Sequence, residues 1–154
     1  RQRQMCIRDR HAASLERPVR LMIALEMIGY YDSAPGSQDY PYPAMSWLYP
    51  DRGDFIAVVG RMQDINAVRQ VKAALLSSRD LSVYSMNAPG FIPGIDFSDH
   101  LNYWQHDIPA VMITDTAFYR NKQYHLPGDT ADRLNYQKMA QVVDGVITLL
   151  YNSK

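Results

Sequence analysis

Apolar and polar positions change period several times along this chain, and each change marks an element. Val19 to Leu25 is an apolar run of strand length, which predicts a strand buried on both faces, as in a parallel or mixed sheet. Asp32 to Asp54 follows with Pro35, Gly36, Pro41, Pro43, Pro50 and Gly53, too punctuated for regular elements, so an extended surface loop is expected. Phe55 to Gly60 (FIAVVG) predicts a second strand. Val68, Val71, Ala74 and Leu75 then recur at three-to-four spacing, which predicts a helix that Asp64 or Asn66 can cap.

Leu81 to Ser85 predicts a short strand, and NAPGFIPG a loop. Asp96 or Ser98 can cap a short helix carrying His100, Tyr103 and Trp104. Ala110 to Thr114 predicts another strand, followed by a loop to Thr130. Tyr136 to Tyr151 predicts an amphipathic helix with Met139, Val142, Val143, Val146, Leu149 and Leu150 on its inner side. Strands separated by helices point to an α/β sandwich.

Composition narrows the picture. A chain of 154 residues, 47% hydrophobic and 21% charged, fits one globular domain with an ordinary core. Sixteen basic residues balance sixteen acidic ones, without the basic excess that a nucleic-acid or acidic-membrane partner would call for. No apolar stretch approaches the ~20 residues of a membrane span. The single cysteine, Cys6, leaves the redox compartment open. The opening RQRQMCIRDR is basic and lacks apolar periodicity, so residues 1–17 are expected to be a non-native or disordered leader, with no role for Cys6 or His11. Residues 18–154 are expected to carry the fold.

The candidate chemistry is concentrated in two places. Glu26 follows the apolar run directly, and a carboxylate there would cost several kcal/mol to bury unpaired. It is therefore expected at the strand's C-terminal end, facing a cation, hydrogen-bond donors or solvent; an ion pair with an Arg is the competing arrangement. Between Ser98 and Thr130 lies the second concentration: Ser98-Asp99-His100, Asp115, Arg120, Tyr124-His125 and Asp129-Thr130. Ligands of open α/β sheets collect beyond the carboxyl ends of strands, and Glu26, Asp99 and His125 each follow a predicted strand. Asp129, four residues after His125, is spaced to orient its imidazole, or else simply begins a turn. His100 and His106 flank Trp104, where packing is the plainer reading. Tyr40, Tyr42, Trp47 and Tyr49 either wall a pocket or anchor their loop to the core. Arg120 could meet a substrate carboxylate or pair with Asp115.

The run SDHLNYW…IPAVMITDTAFYRNKQYHLPGDTADRLNY resembles the C-terminal part of the zinc-dependent aminopeptidase family, di-zinc exopeptidases related to bacterial leucyl aminopeptidases and glutaminyl cyclases. With LEMIGYYDSAPGSQDYP around Glu26, the likeness extends over roughly Val19 to Leu150. It implies a three-layer α/β sandwich with a mixed, mostly parallel sheet, truncated at the N-terminus. It also implies zinc as cofactor (two ions in the intact enzyme) and peptide or protein N-termini as substrate. In this resemblance Glu26 and His125 correspond to metal ligands, Tyr124 to the hydroxyl that stabilises a tetrahedral intermediate, and Asp99 to a residue lining the site; Asp129 and Arg120 are expected to support or line the site on their own position and chemistry. The family's first His, bridging Asp and Glu pair have no counterpart among the residues before Val19. Zinc catalysis needs about three protein ligands, so this chain by itself is expected to be inactive. A glutaminyl cyclase-type transferase and an inactive binding ectodomain of the same fold are the alternatives.

Overall fold

The computed structural model describes residues 19–89, 92, 93, 95 and 98–152; the leader expected at 1–17 lies outside the described residues. Four strands form one sheet: β1 (Met22–Leu25), β2 (Phe55–Gly60), β3 (Ser82–Asn87) and β4 (Ala110–Thr114). Their order is β1-β4-β2-β3. β1 runs parallel to β4 and β2 parallel to β3, while β2 and β4 are antiparallel. The sheet is thus mixed, as expected. FIAVVG and AVMIT are buried along their whole length because they occupy the two central positions.

β1 departs from expectation. It begins at Met22 rather than Val19, since its pairing starts opposite Ala110, the first residue of β4. Nor is it buried on both faces: β4 alone flanks it among the described strands, and Leu25 is 47% exposed.

Three helices cover the sheet: α1 (Ile65–Leu75), α2 (His100–Gln105) and α3 (Tyr136–Asn152). On one face Ile56 and Val58 of β2 and Val111 and Ile113 of β4 pack against Val68, Val71 and Leu75 of α1 and Val142 and Leu149 of α3. On the other face Phe55, Ala57, Val59 and Met112 pack with Trp104 of α2 and Ile95. Helices, sheet, and α2 with its loops make three layers. Asp99, not Asp96 or Ser98, occupies the N-cap position of α2, and its side chain makes no capping hydrogen bond.

α3 corrects a second expectation. Val142, Gly145 and Leu149 face inward, but Val143 is 43% and Leu150 62% exposed. At Gly145 the helices nearly touch: a Cβ there would lie 2.8 Å from the Cα of Leu75. That contact fixes α3's rotation and turns Tyr136, Val143, Ile147 and Leu150 outward in a four-three stripe. A helix apolar on both sides normally has neighbours on both. The chain by itself is therefore expected to self-associate at micromolar concentration through this stripe and the edge of β1 that no described strand covers. Sedimentation velocity should show the association, and Val143→Lys with Ile147→Lys should reduce it. A monodisperse wild-type monomer with a sharp, reversible melt would refute it.

Candidate active site

Because β1 and β4 are parallel, they deliver the residues that follow them to one edge of the sheet. Glu26 donates its backbone N–H to Ile113 O at 3.0 Å, and one rung further the Asp115 N–H donates to Met27 O at 2.6 Å. Met27 then turns into the left-handed region with φ 56°. The turn is held by Asp115, the first residue after β4. Its carboxylate accepts the N–H groups of Gly29 at 3.1 Å, Tyr30 at 2.8 Å and Ala117 at 2.9 Å. Burial pushes the Asp115 carboxyl above the usual carboxylate range, and these backbone donors and the nearby Arg120 oppose that shift. Thr116 and Ala117 are also left-handed, at φ 74° and 49°. Strain of this kind persists only where the surroundings over-determine it, and it concentrates here at the exits of β1 and β4.

The Glu26 side chain opens into a cavity of about 130 Å³ between the sheet face and the long loop. Ser98 donates its hydroxyl to Glu26 Oε2 at 2.9 Å. Among the described residues no Arg or Lys pairs with Glu26. The cavity walls are Phe55, Tyr84, Met86 and Met112 from the sheet and Met45, Tyr40 and Tyr49 from the loop. The expected surface loop of residues 32–54 thus folds back onto the sheet. It is stapled by a bridge between Asp32 and Gly53, a 3₁₀ turn at Pro43–Trp47, and the Tyr40 and Tyr49 hydroxyls donating to Pro50 O and Ser85 O at 2.7 and 3.1 Å. Burial raises both phenols, which keeps them neutral donors. Tyr40 and Tyr49 both anchor the loop and wall the cavity, whereas Trp47 is 86% exposed.

Tyr124 joins the cavity wall from the opposite side, and its ring lies 4.0 Å from that of the exposed His125. His125 itself adopts φ 61°, a conformation uncommon outside glycine. Of the two arrangements open to Asp129, orienting the imidazole or beginning a turn, its hydrogen bonds fit the second: its Oδ2 accepts the backbone N–H of His125 at 3.3 Å and its Oδ1 accepts the Asn121 amide at 2.8 Å. It shapes the loop rather than the ring. Asp99 does not line the cavity; the neighbouring Ser98 touches Glu26 instead. Their adjacency in Ser98-Asp99-His100 was visible, but which of them faces Glu26 depends on where α2 begins.

Arg120 neither meets the cavity nor bonds Asp115. It is buried, donating to Gln38 Oε1 at 2.9 Å, Tyr30 O at 3.1 Å and Phe55 O at 2.9 Å, with its guanidinium 4.6 Å from the Phe55 ring centre. Burial pulls its pKa below the usual value, against the favourable field of Asp115. Gln38, absent from the sequence reading, carries this contact to the cavity wall, where it also bonds the Thr116 hydroxyl. His100 packs as expected, fully buried with its ring 4.5 Å from Trp104 and Nε2 on Ile95 O.

Carboxylate and imidazole are zinc donors in kind. In number they fall short: among the described residues no three His, Cys, Asp or Glu side chains group closely enough to hold a metal.

A mixed sheet with strained strand exits, an acid at one of them and an apolar cavity beside it defines an α/β protein with a cavity at the sheet edge. The comparisons make that class specific. The model of peptidase family M28 matches residues 8–150, and the chain belongs to that family. It is 96% identical over 144 residues to the protein YfbL of Escherichia coli (strain K12), covering 94% of this chain and 45% of that protein. The LapA aminopeptidase of Legionella pneumophila superposes with a TM-score of 0.64 at 20% identity, over 91% of this chain and 32% of that one. BSAP, a zinc aminopeptidase from Bacillus subtilis, does so at 0.60 and 16%, over 97% and 32%. The fold is that of the zinc aminopeptidases, and the chain spans less than half of these relatives.

Proposed function

We propose that this chain is the part of a metal-dependent aminopeptidase that supplies Glu26 and His125 to its zinc site and forms the adjacent substrate cavity. The observation carrying this is the strand-end geometry: Glu26, free of any basic partner among the described residues, shares a cavity with Tyr124, the residue before His125. The remaining ligands and the general base belong to polypeptide beyond the residues described. Zinc, when bound, would supply Lewis acidity that activates water near neutral pH and polarises a carbonyl. The chain's own residues do the rest. Ser98 orients the Glu26 carboxylate through its 2.9 Å hydrogen bond. The Tyr124 hydroxyl is a donor for the oxygen that gains charge as a peptide carbonyl becomes tetrahedral. The apolar walls exclude water from the substrate's first side chain.

The test uses the full-length protein, built by placing this chain's residues in the matching segment of the Escherichia coli relative. It is expected to release the chromophore from aminoacyl-p-nitroanilides, to lose this activity on chelation and to recover it with zinc. An intact, zinc-loaded protein without turnover on any free N-terminus would overturn the assignment. Conversion of N-terminal glutamine to a lactam would instead indicate the cyclase chemistry.

A further inference from the structure

We propose that Arg133 is a positioning residue that locks the His125 loop to the segment carrying Glu26. The inference rests on the reading of Glu26 and His125 as ligands. Arg133 lies eight residues after His125, yet it binds both sides of the site. One terminal nitrogen donates to Asn121 Oδ1 at 2.9 Å and to Gly128 O at 3.2 Å, gripping the loop before and after His125. The other donates to the Tyr30 hydroxyl at 3.1 Å, with the guanidinium 4.8 Å from the Tyr30 ring centre. Tyr30 is four residues beyond Glu26, and its N–H is pinned by Asp115.

Asn121 passes the grip on. It is 1% exposed, and while its Oδ1 also accepts the Gln123 N–H at 3.0 Å, its amide holds Asp129, whose other oxygen takes the His125 N–H. His125 is thereby held in the left-handed region that an unrestrained histidine would leave. These bonds form a continuous path from the exit of β1 to the backbone of His125. Only a planar fork with several donors fits its three acceptors and the ring; lysine's ammonium is a compact point charge on a flexible stem.

The experiment measures zinc affinity by chelator competition, and amide hydrogen exchange of the metal-free form, in the full-length protein described above. Arg133→Ala is expected to weaken zinc binding by roughly 10–100-fold, as loss of an outer-shell support does. Exchange at residues 124–129 should quicken roughly tenfold or more, since the loop then opens locally. KM at saturating zinc should stay near wild type. Arg133→Lys should recover part of the affinity. His125→Ala serves as the reference. Wild-type zinc affinity in Arg133→Ala beside lost affinity in His125→Ala overturns the latch and leaves the ligand reading standing. Wild-type affinity in both overturns the ligand reading and the latch with it. A lower melting temperature in Arg133→Ala with unchanged affinity and unchanged loop exchange counts against the latch as well.

Discussion

His125→Ala and Glu26→Ala in the full-length protein are each expected to abolish aminopeptidase turnover and to lower bound zinc relative to wild type. On the proposed reading each removes a ligand donor, and among the described residues no group of three His, Cys, Asp or Glu side chains is present to take its place. Tyr124→Phe separates ligation from catalysis. It deletes only a hydroxyl at the cavity wall, so kcat should fall by roughly 10²-fold or more with zinc content unchanged. Metal content and kcat measured on the same preparations decide the matter. Full zinc and near-normal turnover in His125→Ala would mean that the Tyr124-His125 motif does not supply the ligand.

The second large effect concerns stability rather than zinc. Arg120→Ala is expected to destabilise the fold by about 3–5 kcal/mol, because it leaves buried acceptors unpaired and removes the positive charge beside Asp115. Tyr30 O and Phe55 O would lose the guanidinium donor and Gln38 Oε1 would keep only the Thr116 hydroxyl, in a place where Arg120 itself is only 3% exposed. For a protein of this size that corresponds to a melting temperature lower by roughly 10 °C. Arg120→Lys should rescue little, since one ammonium cannot reach three acceptors and stack on Phe55 as well. A change within 1 °C for Arg120→Ala, or full rescue by lysine, would show that the network carries little of the stability.

Much of the fold was legible in local pattern. FIAVVG and AVMIT are strands where their apolar runs placed them, since a fully buried strand needs apolar side chains on both faces. α3 begins at Tyr136, where its periodicity put it, and α1 begins at Ile65, directly after Asp64, one of its two expected caps. The same logic misled at α3, where six apolar positions were assigned inward. A 3.6-residue period offers two apolar sides, and the close approach of Gly145 to Leu75 decides between them. The site was legible in residue type only. Glu26 could be recognised as a costly carboxylate at a strand end, but Arg120 and Arg133 carry no local mark distinguishing a surface charge from a buried tie.

The amino-acid sequence by itself determined the strands, the helices, the position of Glu26 at the end of an apolar run, and the Tyr124-His125 pair in a loop. These follow from side-chain burial and short-range backbone preference, which neighbouring residues settle among themselves. Tertiary structure decided the rest. It set β1 parallel to β4, which brings Glu26 and Asp115 to one edge although 89 positions separate them in sequence. It folded the Pro-rich loop over the sheet as a cavity wall, and it gave Ser98 rather than Asp99 the contact with Glu26. It also passed the Arg133 guanidinium between Tyr30 and Asn121. Such contacts join groups far apart along the chain, and their worth depends on the burial and mutual orientation that only the packed layers impose.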